Sequence, residues 1–171
     1  MERAQIAFLY YITHVENLIS ILDRGLLSHN RIEKLRIKHI RIDDPDVQER
    51  RIDRKLPNGK SLHDHVNLYF NPRNAMMSKL RHLNESICVL VIDPKIMDIA
   101  DVLVTDMNAS AKSYVRFFAV KEIANLDAEL IFSEDWLHPN PTEYYRRKSS
   151  DCAEVLIPNF VTSSFVLGIY V

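Results

Sequence analysis

The sequence predicts an α+β fold. Three observations lead there. Short apolar runs that suit strands ("IAFLYYI", "VNLYF", "SICVLVI", "CAEVLIP", "FVLGIYV") are spread along the whole chain. Segments with helix start and stop signals lie between them. The two kinds of segment do not alternate regularly, which argues against a doubly wound parallel sheet.

The elements follow in order. "IAFLYYI" (6–12) is apolar, aromatic and short, as a buried strand should be. Thr13, with Glu16 three residues on, has the spacing of a capping box and opens a helix. Leu18, Ile21 and Leu22 give that helix its apolar stripe, and Gly25 ends it. "LLSHNRIEKLRIKHI" has no clear period. Asp44-Pro45 then places a cap and a first-turn proline before a second helix, "DVQERRIDRKL", which should stop at Pro57. "VNLYF" (66–70) is the next strand. Asn71-Pro72 repeats the cap-and-proline signal and predicts a helix over "PRNAMMSKLRH". "SICVLVI" is apolar on both faces and is the best candidate for a central strand. "KEIANL" is weakly helical. Residues 133–149 have no clean period and read as a long, partly helical loop, of the kind that is usually functional or disordered. "CAEVLIP" and "FVLGIYV" supply the last two strands.

Composition narrows the function classes. A chain of 171 residues, 47% hydrophobic, is most simply one domain spanning residues 1–171. A chain this size buries roughly two-thirds of its unfolded surface. Its apolar runs fall short of the ~20 residues that span a bilayer, and the N-terminus lacks a basic-then-apolar signal pattern. Cys88 and Cys152 sit in apolar segments without CxxC spacing, so a reducing cytoplasm fits better than a disulfide framework or a zinc site. Three glycines leave no glycine-rich phosphate loop. The net charge of −1 hides a basic excess over residues 31–60 and a second cluster, "YYRRKSS" (144–150). Charge runs are usually solvated faces. Tyrosines beside arginines can also stack on unpaired bases while the cations hold phosphates.

Three places could carry chemistry. Glu154 interrupts the apolar strand "CAEVLIP"; it either turns to solvent on an edge strand or sits in a cleft where positive charge develops. Arg51 shares a helix face with Val47 and Arg54 at the border of the buried stripe, whereas Arg50 and Lys55 point further outward. From there it could grip a carboxylate or phosphate with two hydrogen bonds, or simply lie on the surface. His63 and His65 form an H-x-H pair beside Asp64, but no third ligand has metal-site spacing, so no metal is expected.

Read together and in order, "YYITHVENLISILDRGLLSHN", "QERR", "HDHVNLYFNPRNAMM", "VLVIDP", "TDMNAS" and "CAEVLIP" resemble the DarT family, bacterial toxins that transfer ADP-ribose from NAD to a base of single-stranded DNA. The resemblance runs from about residue 10 to 158. It implies an ADP-ribosyltransferase fold, a bent and split β core with helices around it. It implies that Arg51, the second arginine of "QERR", and Glu154, of "AEVL", are catalytic. Arg51 would hold NAD, and Glu154 would act at the nicotinamide ribose. Tyr11, Thr13, Tyr69 and Met76 would line the NAD cleft, and Arg73 would face the DNA. Tyr144, Arg146, Arg147 and Lys148 would join it there. NAD is then a co-substrate, and no metal is needed. The implied partners are single-stranded DNA and a DarG-like antitoxin with an ADP-ribose-removing macrodomain; the toxin itself would be a cytoplasmic monomer. The chain departs from the family at "YYIT", where "YHIT" is expected. Tyr11 stands in the place of an NAD-binding histidine, and it can donate one hydrogen bond and stack. An RNA or protein target, or a nucleic-acid-binding module without catalysis, are the competing readings.

Overall fold

The computed structural model describes residues 1–112 and 114–171. Along the chain run β1 (Leu9–His14), α1 (Leu18–Arg24), β2 (Leu26–Leu27), α2 (His29–Leu35), α3 (Pro45–Ile52), β3 (His65–Tyr69), α4 (Ala75–Lys79), β4 (Ile87–Ile92), β5 (Leu103–Thr105), β6 (Phe117–Ala119), α5 (Ala128–Ile131), α6 (Pro141–Ser150), β7 (Glu154–Pro158), β8 (Phe160–Val161) and β9 (Val166–Tyr170). Short 3₁₀ turns join several of them. Seven strands form one sheet in the order β6-β5-β7-β3-β1-β4-β9, and β2 and β8 pair separately. Every pairing in the large sheet is antiparallel. The α+β expectation holds.

The sheet is divided at its middle. β1 pairs with β4 from Leu9↔Ile92 to His14↔Ile87, and β3 pairs with β7 from His65↔Pro158 to Tyr69↔Glu154. Between β1 and β3 there is one register pair, Tyr10↔Tyr69. The two halves therefore meet at a single rung and separate beyond it. This is the bent, split core that the resemblance implies.

β7 is deeply buried from Glu154 to Ile157. Alternation sends Val155 and Ile157 into the main core with Leu9, Leu68, Leu90 and Ile92. Leu156 goes the other way, against Leu56, Leu62 and Ala109. Glu154, two residues before Leu156, shares that second face. β7 lies between β5 and β3, not at an edge, and Glu154 is 0% exposed. The solvent-facing alternative for Glu154 is thereby removed.

Several local expectations needed correction. Thr13 belongs to β1, and the cap of the following turn is His14, whose Nδ1 accepts from the Glu16 N–H. Gly25 does end α1, at φ +84°, and a Cβ there would collide with the Val161 carbonyl. The unassigned stretch after it contains β2 and α2. Asp44 and Pro45 open α3 as expected, but the helix stops at Ile52 rather than Pro57. The chain must turn back so that Lys55 can pair with Ser61 across a tight loop with Gly59 at φ +78°. Asn71 caps a turn through the Arg73 N–H, and the true helix cap is Asn74, bonded to the Met77 N–H. "SICVLVI" is an interior strand, β4, but β3 holds the centre of the sheet. The helical part of the 133–149 stretch is residues 141–150. Asn140 accepts from the Thr142 and Glu143 N–H groups, Pro141 sits in the first turn, and α6 runs to Ser150.

Candidate active site

The separation of β1 from β3 opens a cleft of about 550 Å³. Tyr11, Ile12 and Thr13 line it from β1, and Val66, Asn67 and Tyr69 from β3. α3 contributes Val47, Gln48 and Arg51; α4 contributes Met76 and Lys79. Residues 39–44 form a further wall. Asn17 staples that wall in place: its Oδ1 accepts from the Ile40 N–H at 2.9 Å, and its Nδ2 donates to the Ile40 carbonyl at 2.8 Å and to Thr13 Oγ1 at 3.2 Å.

An ion pair lies under the floor. Arg51 faces inward from α3 and is 5% exposed. Its Nη1 and Nη2 donate to Glu154 Oε1 and Oε2 at 2.9 and 3.0 Å. This is the two-pronged geometry that only a guanidinium gives. The Ala109 N–H adds a third bond to Glu154 Oε1 at 3.0 Å. Thr105 Oγ1 accepts from the Glu154 N–H at 2.9 Å and donates to the Met107 carbonyl at 2.6 Å. It fixes the backbone of Glu154 just where the β5–β7 ladder ends. Burial opposes the charge on Arg51, but the adjacent Glu154 outweighs it and holds the guanidinium pKa above its ordinary value. A buried carboxylate bonded this way is fixed in orientation.

The phenols above the pair stay protonated. Burial, and then the charge of Glu154, push Tyr69 well above the ordinary phenol range. Burial and then Asp43 raise Tyr11. Tyr69 Oη donates to Met76 Sδ at 3.1 Å, which ties β3 to α4 across the cleft wall. The two histidines do not act as a pair. His63 Nε2 meets Gln48 Oε1 at 3.0 Å, and its ring lies 4.3 Å from that of His29. Burial first, and then His29, lower its pKa to about 4. His65 Nδ1 donates to the Ser61 carbonyl at 3.0 Å. Among the described residues no cluster of three or more His, Cys, Asp or Glu could hold a metal.

The expected site residues thus fall into groups. Tyr11, Thr13, Arg51, Tyr69 and Met76 all line the cleft, and Glu154 lies directly behind Arg51. Arg73 is exposed on the turn that follows β3. The 144–148 cluster is divided by its helix. Lys148 lines the cleft and lies 5.6 Å from the ring centre of Tyr144, one turn away. Arg146 is exposed and pairs with Glu143 at 3.2 Å. Arg147 is half-buried, its Nε shielded from solvent. Sequence reasoning missed Asn17, Thr105, the Ala109 N–H and Trp136, which also lines the cleft. An isolated Trp before "HPNP" was the one available signal for the last of these; the others depend on strand order.

Comparison with known proteins agrees with this geometry. The family described as "ssDNA thymidine ADP-ribosyltransferase, DarT" matches residues 10–171. A DNA ADP-ribosyl transferase–DNA ADP-ribosyl glycohydrolase fusion protein of Thermosipho africanus is 34% identical over 170 residues, which is 95% of this chain and 42% of the fusion. The chain therefore spans less than half the length of that relative. The structure of Thermus sp. 2.9 DarT in complex with ADP-ribosylated ssDNA superposes with a TM-score of 0.81 at 30% identity, covering 96% of this chain and 81% of that one. The same Thermus protein in complex with NAD+ gives a TM-score of 0.73 at 29% identity, covering 96% and 81%.

Proposed function

The chain belongs to the DarT family, and from that membership we propose that it transfers ADP-ribose from NAD to a thymine base of single-stranded DNA, releasing nicotinamide. Residues 1–171 act as one ADP-ribosyltransferase domain in this reading. The observation that carries it is Glu154, a carboxylate fixed by a two-pronged arginine beneath a cleft large enough for a dinucleotide.

Each residue then has a task. Breaking the nicotinamide–ribose bond builds positive charge on the ribose, as glycoside cleavage does. Glu154 offsets that charge and is already oriented, so little reorganisation is needed at the moment of reaction. Among the described residues its Oε2 accepts from Arg51 alone, and a carboxylate oxygen can accept a further hydrogen bond from a ribose hydroxyl. The expected role of Arg51 in holding NAD gains a second part from its geometry. Nη1 and Nη2 each give one of their two N–H groups to Glu154, so Arg51 orients the carboxylate and, lining the cleft, keeps donors for NAD. Tyr11 and Thr13 on β1 and Tyr69 and Met76 on the opposite wall embrace the nucleotide. Tyr11 supplies a phenol donor where relatives of the expected pattern would have histidine. Arg73, Tyr144 and Lys148 meet the nucleic acid. Arg146 and Arg147 are weaker candidates, one turned outward and one packed inward. The acceptor nitrogen must be presented unpaired, which favours single strands.

The T. africanus relative is by name fused to a DNA ADP-ribosyl glycohydrolase. A DarG-like antitoxin of that activity, with a macrodomain, fits a toxin acting as a cytoplasmic monomer. No helix among the described residues is long and apolar enough to cross a membrane. The decisive experiment incubates the protein with NAD and, separately, thymine-containing single-stranded DNA, the matching RNA and a protein mixture, with mass spectrometry for an added ADP-ribose. Mass gained on the DNA supports the reading; mass gained only on RNA or protein replaces it. Expression should be toxic without the antitoxin and tolerated for Glu154→Gln. Harmless expression of soluble, intact wild-type chain counts against a toxin.

A further inference from the structure

Asn71 is 8% exposed and lies outside the cleft, yet its amide joins three segments that approach the cleft. Its Nδ2 donates to Asp151 Oδ1 at 2.9 Å, and to the Ile131 and Ser133 carbonyls at 3.3 and 3.4 Å. An amide has two N–H bonds, so the two longer contacts share one hydrogen. Its Oδ1 accepts from the Arg73 N–H at 2.9 Å, and its own carbonyl accepts from Asn74 Nδ2 at 2.9 Å. Turn chemistry requires only the Arg73 bond. The three Nδ2 contacts reach 60 to 80 residues along the chain and need a different explanation.

What they connect is specific. Ile131 and Ser133 flank the start of the loop that brings Trp136 to the cleft. Asp151 follows α6, whose Lys148 lines the cleft, and precedes Glu154 by one turn of chain. Arg73 and Met76 lie on the segment that Asn71 itself begins. We infer that Asn71 is a positioning residue: it locks the Trp136 loop, the Arg73 turn and the end of α6 into one rigid wall on the nucleic-acid side of the cleft, in fixed register with Glu154. This rests on the proposed reading for the identity of the ligand. The mechanical claim, that Asn71 holds the Trp136 loop, does not.

The chain's single tryptophan makes the claim measurable. Asn71→Ala and Asn71→Ser are compared with wild type. Serine keeps an acceptor for the Arg73 N–H but is too short for the three remote contacts, and it covers the case in which alanine does not fold. In both variants the Trp136 emission of the free protein should move to the red as the loop is released. The KM for a thymine-containing oligonucleotide should rise about tenfold or more, while NAD hydrolysis without oligonucleotide stays within about twofold, because misplacing one substrate need not disturb the other. A role confined to general stability would lower hydrolysis and transfer together, and that result overturns the inference. So does a serine variant with wild-type emission and KM, which would reduce Asn71 to a turn residue. Shifted emission with unchanged KM removes the link to nucleic acid. If wild type modifies no oligonucleotide, the proposed function falls, while the emission comparison still decides whether Asn71 anchors the loop.

Discussion

A guanidinium and a carboxylate removed together from water stabilise each other only as a pair. Arg51 is 5% exposed and Glu154 0%. Replacing one partner leaves the other buried without its counter-charge, at a cost of about 3–5 kcal/mol. Glu154→Ala should therefore lose stability as well as activity. Glu154→Gln keeps the side chain's shape and is the better probe of charge; its transfer rate should fall on the order of 10²-fold or more. Arg51→Lys keeps a charge but cannot bond both oxygens, so it too should be poorly active. The double variant Arg51→Met/Glu154→Leu separates the two effects. Chemical denaturation should find it more stable than either single replacement, and transfer assays should find it inactive. Appreciable transfer by that variant would dismiss the pair from catalysis.

At the scale of elements, α6 decides which basic side chains can touch a strand of DNA. A helix repeats every 3.6 residues, so Tyr144 and Lys148 lie on one face. Arg146 points elsewhere and is occupied with Glu143. Lys148→Ala should weaken oligonucleotide binding and reduce the slope of log affinity against log salt by roughly 0.7. Arg146→Ala should leave the slope unchanged, and equal slopes for both variants would mean that the face is wrong. The sequence shows the charges but not this division, because residues 133–149 read only as a partly helical loop without a clean period, which leaves the start and the face of the helix unplaced. The signal was present: Asn140-Pro141 has the same cap-and-proline form as Asp44-Pro45, which was read correctly. Arg51 was legible because its helix was. Glu154 was legible as an anomaly in an apolar strand, but its depth followed from β7 lying inside the sheet, and strand order is set by contacts far apart in sequence. Thr105 and Ala109 were beyond reach for the same reason: they meet Glu154 only once β5 lies beside β7.

For the whole molecule, two buried groups pull stability in opposite directions as pH changes. His63 has its pKa lowered by burial, and then by His29, from 6.5 to about 4. Between those values the unfolded chain binds a proton that the folded chain refuses, so this group's contribution is complete above pH 6.5 and is lost as pH falls towards 4. His65 is shifted the same way, mainly by burial. Asp151 is the reverse. Burial raises its carboxyl from 3.8 to about 7, only partly offset by bonds from Asn71 and the Ala75 backbone. Among the described residues its Oδ2 is buried without a hydrogen-bond partner, as is the Nε of Arg147 on the preceding turn, and the neighbouring Cys152 thiol, itself pushed up to about 12 by burial, brings no charge. Here the folded chain keeps a proton that the unfolded chain has released, so stability falls as pH rises from 4 to 7. Each group tilts the profile by at most about 1.4 kcal/mol per pH unit, and over pH 4 to 6.5 the two tilts largely cancel. Asp151→Asn removes one of them while leaving an oxygen for Asn71. Its stability, from urea midpoints between pH 4.5 and 7.5, should climb more steeply up to pH 6.5 than that of wild type, and should not decline between 6.5 and 7.5. Parallel profiles for the two proteins would show that Asp151 ionises in the folded chain as it does in the unfolded one, and that burial beside Asn71 does not hold its proton.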